Sequence, residues 1–264
     1  MFYRKIFLTV FICFIFNNSY GAELKNDSSK LLKILSLEAK ERLELNKNDI
    51  FPLLEGLSNP EKIAFWAEFF VGVEYDTELI GNYVKEGVIV LDSALDCMSH
   101  TFRSFELAFA KTEEKALDNA LFFRFPLSGK RSGNKIISYE ERFEYGEDMA
   151  LSGKFGRLIS NEIDVTVGTE NSRSKLDFLT KDEVQKNLSK LKTGDTIFFV
   201  KGEKARKGLE IVGHIGILKL EKGEIFLIHA SGKKNKGGEV KKVNFSEYLE
   251  KNYPFFTGII LTRN

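Results

Sequence analysis

The sequence predicts an α+β fold in which N-terminal helices pack on a C-terminal antiparallel sheet. The first observation is a set of helical patterns before residue 123, with apolar residues spaced three and four apart. The second is a series of short apolar runs after residue 194, most of them separated by turns that contain glycine or lysine. Helices followed by strands, rather than alternating with them, favour this class over a parallel α/β fold.

The N terminus has the pattern of a secretory signal. Two basic residues precede an apolar run over residues 6–16, and the small residues Gly21 and Ala22 follow it. We place the cleavage after Gly21, with Ala22 as a close alternative, so that residues 1–21 form the signal. The apolar run is too short to span a bilayer, and Cys13 lacks the preceding small residue of a lipoprotein signal. We expect a soluble exported protein, periplasmic or secreted, with no stable membrane anchor.

The charge balance argues against a nucleic-acid partner. Without the two basic residues of the signal, 37 Lys and Arg stand against 38 Asp and Glu, a net charge of −1. Nucleic-acid binding requires a strongly basic face instead. We interpret the lysine-rich run over residues 233–236 as a solvated loop, and we expect no cofactor.

The mature chain has the length of one large domain. We expect a helical segment over residues 22–58, then a single domain over residues 59–264 with an insertion near residues 126–187. In that insertion the periodicity weakens and Gly, Ser and charged residues dominate, which is typical of a substrate-facing insertion. Nothing in the sequence indicates an oligomeric state.

The N-terminal elements are predicted from periodicity and capping signals. Residues 29–45 have the pattern of one helix, and a second helix begins at Asn59, where a cap is followed by proline in the first turn. The apolar run Gly87–Leu91 predicts a strand. A further amphipathic helix is predicted over Glu113–Phe122.

Five strands are predicted in the last third, near residues 195–200, 209–220, 224–230, 239–243 and 256–262. The turn at Lys222 and Gly223 is tight, so the second and third of these strands are predicted to be antiparallel neighbours. A short helix at Ser246–Lys251 precedes the last strand.

Cys97 is the only cysteine outside the predicted signal. Exported proteins usually use cysteines in pairs, so an unpaired thiol is either buried and inert or retained for chemistry. Cys97 falls in the first turn of a predicted helix that Ser93 or Asp96 caps. The free N–H groups and the dipole of a helix N terminus stabilise a thiolate, so we expect a lowered pKa for this thiol.

The chain has three histidines, His100, His214 and His229. His214 lies early on one predicted strand and His229 at the end of the next, so antiparallel pairing brings their imidazoles together. With Cys97 on a helix packed against that sheet, a thiolate attacks a carbonyl, His214 moves the proton and His229 fixes its tautomer. His100, one turn after Cys97, is interpreted as structural or as a neighbour of the pocket.

Two other interpretations of these residues stay open. A histidine at a strand end, taken singly, is more often a tolerated polar residue than a catalytic one. Cys97, His214 and His229 are also a candidate zinc set with an open position, although no close-spaced pair of His or Cys ligands supports it.

The order of the motifs resembles the NlpC-type cysteine peptidases, which are papain-like hydrolases of bacterial cell-wall peptides. The motifs are Asp-Cys at a helix start, a Gly-Asp turn within residues 191–199, Gly-His-Ile-Gly-Ile at residues 213–217 and Ile-His-Ala-Ser at residues 228–231. Among these peptidases the chain is most similar to the N-acetylmuramoyl-L-alanine amidase-like family. That closer similarity lies in residues 70–75, 95–97, 139–145, 248 and 258–260, and the resemblance extends from about residue 60 to the C terminus.

The resemblance implies a papain-like NlpC-type domain in which Cys97 is the nucleophile, His214 the base and His229 the third member. The implied reaction is hydrolysis of the amide between N-acetylmuramic acid and L-alanine in peptidoglycan fragments, through a thioester. The implied substrate is intact peptidoglycan or a released muropeptide.

The same resemblance places four residues on the substrate side. Tyr75 borders the active site, Asp96 precedes the nucleophile, and Arg142 and Tyr145 face the substrate. The endopeptidase branch often has Asp-Cys-Ser-Gly, and the different residues after Cys97 favour an amidase over a D-glutamyl–diamino acid endopeptidase. Outside the enzymes, the alternative is a catalytically inactive wall-binding module.

Overall fold

The computed structural model describes residues 27–133 and 135–264. The predicted signal and its cleavage site lie outside these residues. The described chain is α+β, as predicted, with helices packed on an antiparallel sheet that the last third of the chain mainly forms. Within the described ranges, no helix is both long and apolar enough to cross a membrane.

The elements follow in chain order. The helices are α1 (residues 27–35), α2 (Ala39–Glu44), α3 (Asn59–Phe69), α4 (Asn82–Lys85), α5 (Cys97–Ala108), α6 (Glu113–Phe123), α7 (Gly146–Leu151), α8 (Ser160–Ile163), α9 (Lys181–Lys186) and α10 (Phe245–Asn252). The strands are β1 (Arg131–Ser132), β2 (Lys135–Ile136), β3 (Arg157–Leu158), β4 (Val167–Glu170), β5 (Lys175–Thr180), β6 (Thr196–Lys201), β7 (Val212–Glu221), β8 (Glu224–Lys233), β9 (Gly237–Asn244) and β10 (Phe256–Arg263).

The main sheet has the strand order β4-β5-β10-β6-β7-β8-β9, and β3 also pairs with β10. All of these pairs are antiparallel. The predicted meander is therefore confirmed for β6 to β9, and the predicted last strand, β10, returns to pair with β6. β1 and β2 form a separate two-stranded ribbon.

The hairpin between β7 and β8 positions the two strand histidines. Lys222 and Gly223 both have positive φ, 52° and 85°, the combination that a tight two-residue hairpin turn requires. The pairing runs from the turn to Ile217 opposite Ile228 and is not continued beyond it. In this register the side chains of His214 and His229 leave the same face of the sheet.

Apolar clusters cover both faces of the sheet. On one face, alternate residues of β6 to β8 pack with α3 and α5, around Trp66 and Phe105. On the other face, the intervening residues pack with α9 and α10, around Phe199 and Phe245. The alternation follows from the two-residue period of a strand, so burial on both faces fixes the pairing register.

The first predicted helix, over residues 29–45, is in fact two helices. α1 ends at residue 35, and α2 begins after Glu38, which forms a reciprocal capping box with Glu41. Arg42 is buried and donates to the carbonyl groups of Leu35 and Phe69. The chain therefore turns at the break, because these contacts hold the end of α1 beside α2.

The prediction of a strand at Gly87–Leu91 is wrong, because this run is a loop. Gly87 has a positive φ of 66°, and the carbonyl of Val88 accepts a hydrogen bond from the Tyr139 hydroxyl at 2.6 Å. Ile89 is buried in a small apolar cluster with Phe125. Burial against side chains thus explains the apolar character of the run, which has no strand partner in the described chain.

The predicted insertion over residues 126–187 contributes β3, β4 and β5 to the main sheet. It also contains the ribbon of β1 and β2 and the short helices α7, α8 and α9. Its position beside β10 makes it part of the sheet rather than a separate appendage. The domain boundaries at residues 22, 59 and 264 stay predictions.

Candidate active site

Cys97 is the first residue of α5, and its position follows from the local sequence. Asp96 has an extended backbone and caps the helix, with Oδ1 accepting the Ser99 N–H at 2.8 Å. The Ser99 hydroxyl in turn accepts the Asp96 N–H at 2.8 Å, which completes a capping box. Of the two caps predicted, Asp96 is the one used. The nucleophile candidate therefore stands at a defined helix start.

α5 carries Cys97 to the sheet beside His214. The N–H of Ile215, the residue after His214 on β7, faces the thiol and favours its charged form. The pairing of β7 with β8 ends at Ile217, counted from the hairpin turn, and Ile215 lies beyond that end. The helix N terminus thus meets the sheet where the two histidine-bearing strands separate.

The two strand histidines contact each other directly. His214 Nε2 lies 2.6 Å from His229 Nδ1, and the rings are nearly perpendicular, at 87°. Both nitrogens belong to buried or half-buried rings, so one N–H must be shared between them. The predicted juxtaposition of these imidazoles is what the structure shows.

This hydrogen bond determines which nitrogen of His214 can act as a base. If His214 Nε2 carries the proton and donates it to His229 Nδ1, the Nδ1 of His214 keeps a free lone pair. That nitrogen is then the one available to the Cys97 thiol. In this tautomer His229 is a neutral hydrogen-bond acceptor, like the third group of a catalytic triad, which orients the base. In the described chain, no hydrogen bond joins Cys97 Sγ directly to either ring in the resting state.

The predicted lowering of the Cys97 pKa is wrong. Burial, together with the neighbouring Asp96 carboxylate, raises the pKa of this thiol to about 12, although the Ile215 N–H and the Lys234 ammonium act in the opposite direction. Burial also lowers the pKa of His214 to about 4 and, with His214 beside it, that of His229 to about 2. At neutral pH the three groups are all uncharged, because each charged form would be desolvated.

Two tyrosines border the site. Tyr248 on α10 packs its ring 4.7 Å from the His229 ring and 6.2 Å from that of His214. Burial and the nearby Cys97 raise the pKa of Tyr248 and of Tyr75, so both hydroxyls stay protonated. Tyr75 therefore lies near Cys97. The sequence pointed to Tyr248 only as a family feature, since nothing local shows that α10 faces β7 and β8.

Asp96 and Arg142 both line a cavity next to Cys97. The residues lining it are Leu79, Ile80, Tyr83, Asp96, Met98, Ser99, Phe102, Arg142, Phe143 and Glu144. Arg142 is held there by its hydrogen bond to the Tyr139 carbonyl at 2.9 Å and by an ion pair with Glu144 at 3.4 Å. Its guanidinium stands at the cavity wall, where a carboxylate or carbonyl oxygen of a ligand would be recognised.

Tyr145 is not part of this cavity. Its ring packs under the guanidinium of Arg173, 3.9 Å away, and Arg173 pairs with Asp148 on α7. The implied substrate-side position of Tyr145 therefore has no support in the arrangement of its neighbours. Tyr75 lies near Cys97, and Asp96 and Arg142 line the neighbouring cavity. Contact of these residues with a substrate stays a prediction.

His100 has a structural position, one of the two interpretations considered for it. It is completely buried, and its Nε2 lies 3.0 Å from the carbonyl of Ala67 on α3. Burial lowers its pKa to about 4, so the ring stays neutral and fastens α5 to α3. As for the zinc interpretation, no group of three or more His, Cys, Asp or Glu side chains within residues 27–133 and 135–264 is arranged to hold a metal ion.

Part of the chain matches a known family. Residues 159–259 match the family described as N-acetylmuramoyl-L-alanine amidase-like. This range contains His214 and His229, and Cys97 precedes it. A search of curated proteins found no match.

Solved structures share the fold. One is an N-acetylmuramoyl-L-alanine amidase from Bacteroides uniformis, with 20% identity over 78% of this chain and 98% of that one, at a TM-score of 0.60. Another is a Legionella pneumophila protein assigned to the family DUF1460, with 16% identity over 81% of this chain and 91% of that one, at a TM-score of 0.65. Through its residues 159–259, the chain is similar to the N-acetylmuramoyl-L-alanine amidase-like family.

Proposed function

We propose that this protein is an exported cysteine hydrolase that cleaves the amide between N-acetylmuramic acid and L-alanine in peptidoglycan fragments. The observation that carries the proposal is the position of Cys97, at the start of α5 and against β7, next to the hydrogen-bonded pair of His214 and His229. The match of residues 159–259 to the N-acetylmuramoyl-L-alanine amidase-like family supports the choice of bond. Export is proposed from the N-terminal sequence alone.

The first half of the reaction forms a thioester. Cys97 Sγ attacks the carbonyl carbon of the lactyl group while His214 Nδ1 takes the thiol proton. Because both groups are neutral at rest, the ion pair forms during the attack rather than before it. The tetrahedral intermediate then collapses, and the C–N bond breaks as His214 returns the proton to the nitrogen of L-alanine.

The second half releases the acid. Water attacks the thioester carbonyl, His214 accepts a proton from the water, and Cys97 leaves as the thiol once that proton is returned. The oxyanion of each tetrahedral intermediate needs N–H donors, and the first turn of α5 has N–H groups without helical partners at Cys97 and Met98. His229 holds the His214 ring in place throughout, through the bond at 2.6 Å.

Mass spectrometry of the products tests the proposal. The mature protein is incubated with purified muropeptides under reducing conditions, beside a Cys97→Ala variant. We expect the wild type to release a free peptide and a muramic-acid product, and the variant to release neither. Intact substrate with the wild type would contradict the activity, and masses from cleavage between D-glutamate and the diamino acid would contradict the choice of bond.

A further inference from the structure

One lysine of the run over residues 233–236 is not solvated, contrary to the sequence interpretation. Lys233 and Lys236 are exposed, but the Lys234 side chain is only 27% exposed and turns back into the site. Its Nζ donates to Asp96 Oδ2 at 2.9 Å and to the carbonyl of Glu78 at 2.7 Å. Two of the three ammonium donors are thus used beside the nucleophile.

We propose that Lys234 occupies the cation-binding place at Asp96, and so restricts the site to substrates whose nitrogen is acylated rather than a free ammonium. This rests on the proposed function, in which the scissile nitrogen is an amide. It adds a specificity-determining residue that acts by charge and does not touch the reacting atoms.

The argument starts from Asp96. This carboxylate precedes the nucleophile and lines the cavity, so its charge would attract a ligand ammonium. Burial disfavours that charge, yet Lys234 and the Ser99 N–H outweigh burial and lower the pKa of Asp96. Oδ1 is occupied by Ser99 and Oδ2 by Lys234, so a second ammonium would have to displace a bound one.

The hairpin that carries Lys234 is fixed against the site. The N–H of Tyr75 donates to the carbonyl of Gly238 at 2.8 Å, and the backbone of Glu74 forms an isolated antiparallel β-bridge with that of Glu239 on β9. A Cβ at Gly232 would lie 2.2 Å from the Tyr75 ring, so glycine allows this close approach. Lys234 is therefore held at Asp96 by the backbone around it.

A consequence concerns the product of the proposed reaction. Cleavage turns the neutral amide nitrogen into an ammonium on the released peptide. Close to Lys234 that ammonium meets a like charge, which is repulsive at short range in a partly buried site. The lysine thus favours the acylated substrate over the free-amine product.

Binding in a background without turnover tests the inference separately from the reaction. In Cys97→Ala protein, calorimetry compares the dipeptide L-Ala-D-Glu with its N-acetyl derivative. We expect the N-acetyl form to bind more tightly. Adding Lys234→Met should shift the ratio of the two affinities at least about tenfold towards the free amine. The reason is that the Asp96 carboxylate then lacks its lysine partner and can attract the ammonium of the ligand. Lys234→Arg should keep the original preference.

Lys236→Met is the matched control, from the same hairpin but exposed, and should leave the ratio unchanged. Equal ratios in Lys234→Met and Lys236→Met, or no binding of the free amine to Lys234→Met, would overturn the inference. If Lys234→Met does not melt cooperatively, Lys234→Gln is measured in its place. Failure of the wild type to cleave muropeptides would overturn the proposed function instead, and leaves this binding ratio as an independent result.

Discussion

At the scale of single residues, the candidate site consists of groups that are uncharged at neutral pH. Cys97 was expected as a thiolate because it begins a helix, but burial and Asp96 act more strongly on it than the helix end does. The motif around each histidine was readable in the sequence, and so was their pairing across a tight hairpin. The protonation states were not readable, because they depend on how deeply α5 is covered by the sheet.

The neutral resting state predicts how fast Cys97 is alkylated. At about pH 7.5 iodoacetamide should label it more slowly than free cysteine, and the rate should keep rising with pH beyond about pH 9, because the pKa of the thiol is raised. The measurement is labelling followed by mass spectrometry over a pH series. A rate that is already constant between about pH 5 and pH 8 would show a preformed thiolate–imidazolium pair and contradict this account.

The orienting role proposed for His229 gives a second prediction. His229→Leu removes the acceptor of the His214 N–H and should lower kcat by about 10²- to 10⁴-fold with little change in KM. His229→Asn supplies a carbonyl oxygen as acceptor and should recover part of that loss. Steady-state kinetics on a muropeptide separates the two variants, and equal losses in both would rule out an orienting hydrogen bond.

At the scale of elements, α5 is held by buried charges on the side away from Cys97. Arg103 pairs with Asp92 at 2.7 Å, and Arg124, at the end of α6, pairs with Glu106 at 2.6 Å. Arg103 also contacts Glu106, and Lys47 contacts Asp92. Both partners of Arg103 are carboxylates of the protein itself, so its guanidinium fixes α5 in place.

This network predicts a large cost for losing one carboxylate. Glu106→Ala leaves Arg124 and Arg103 buried without a common partner, which should lower the free energy of unfolding by about 3 kcal/mol or more. Urea denaturation measures it. Glu114→Ala, on the exposed side of α6, is the matched control and should leave the midpoint unchanged. A midpoint for Glu106→Ala as high as that of the control would contradict a structural role for the network.

At the scale of the whole molecule, the sheet connects the histidine-bearing strands to the insertion over residues 126–187. β10 lies between β6 and β5, and its residues Gly258 and Ile259 pair with both strands. The strands of the last third were predictable because each has its own turn and apolar alternation. The pairing of β5 with β10 was not predictable, because pairing between distant segments leaves no local signal in the sequence. The loop at Gly87–Leu91 shows the opposite error: an apolar run was predicted to be a strand, but it has no strand partner in the described chain.

The close approach at Gly258 gives a fourth prediction. A Cβ there would lie 2.0 Å from the Leu179 carbonyl, so Gly258→Ala should force β10 and β5 apart and lower the free energy of unfolding by about 3 kcal/mol. Thermal unfolding and limited proteolysis of the insertion both report it. Gly168→Ala, on β4, is the control, since its nearest neighbour would be 3.7 Å away. Equal stability of the two variants would show that the sheet tolerates separation at this point.

The claim on which the account depends is that Cys97 forms a thioester with the acyl part of a muropeptide. The most direct measurement is the mass of the protein after it is mixed with muropeptide and quenched in acid, followed by mapping of the modified residue. The account predicts an acyl adduct on Cys97 in the wild type and neither adduct nor product with Cys97→Ala. Undiminished product formation by Cys97→Ala would contradict it.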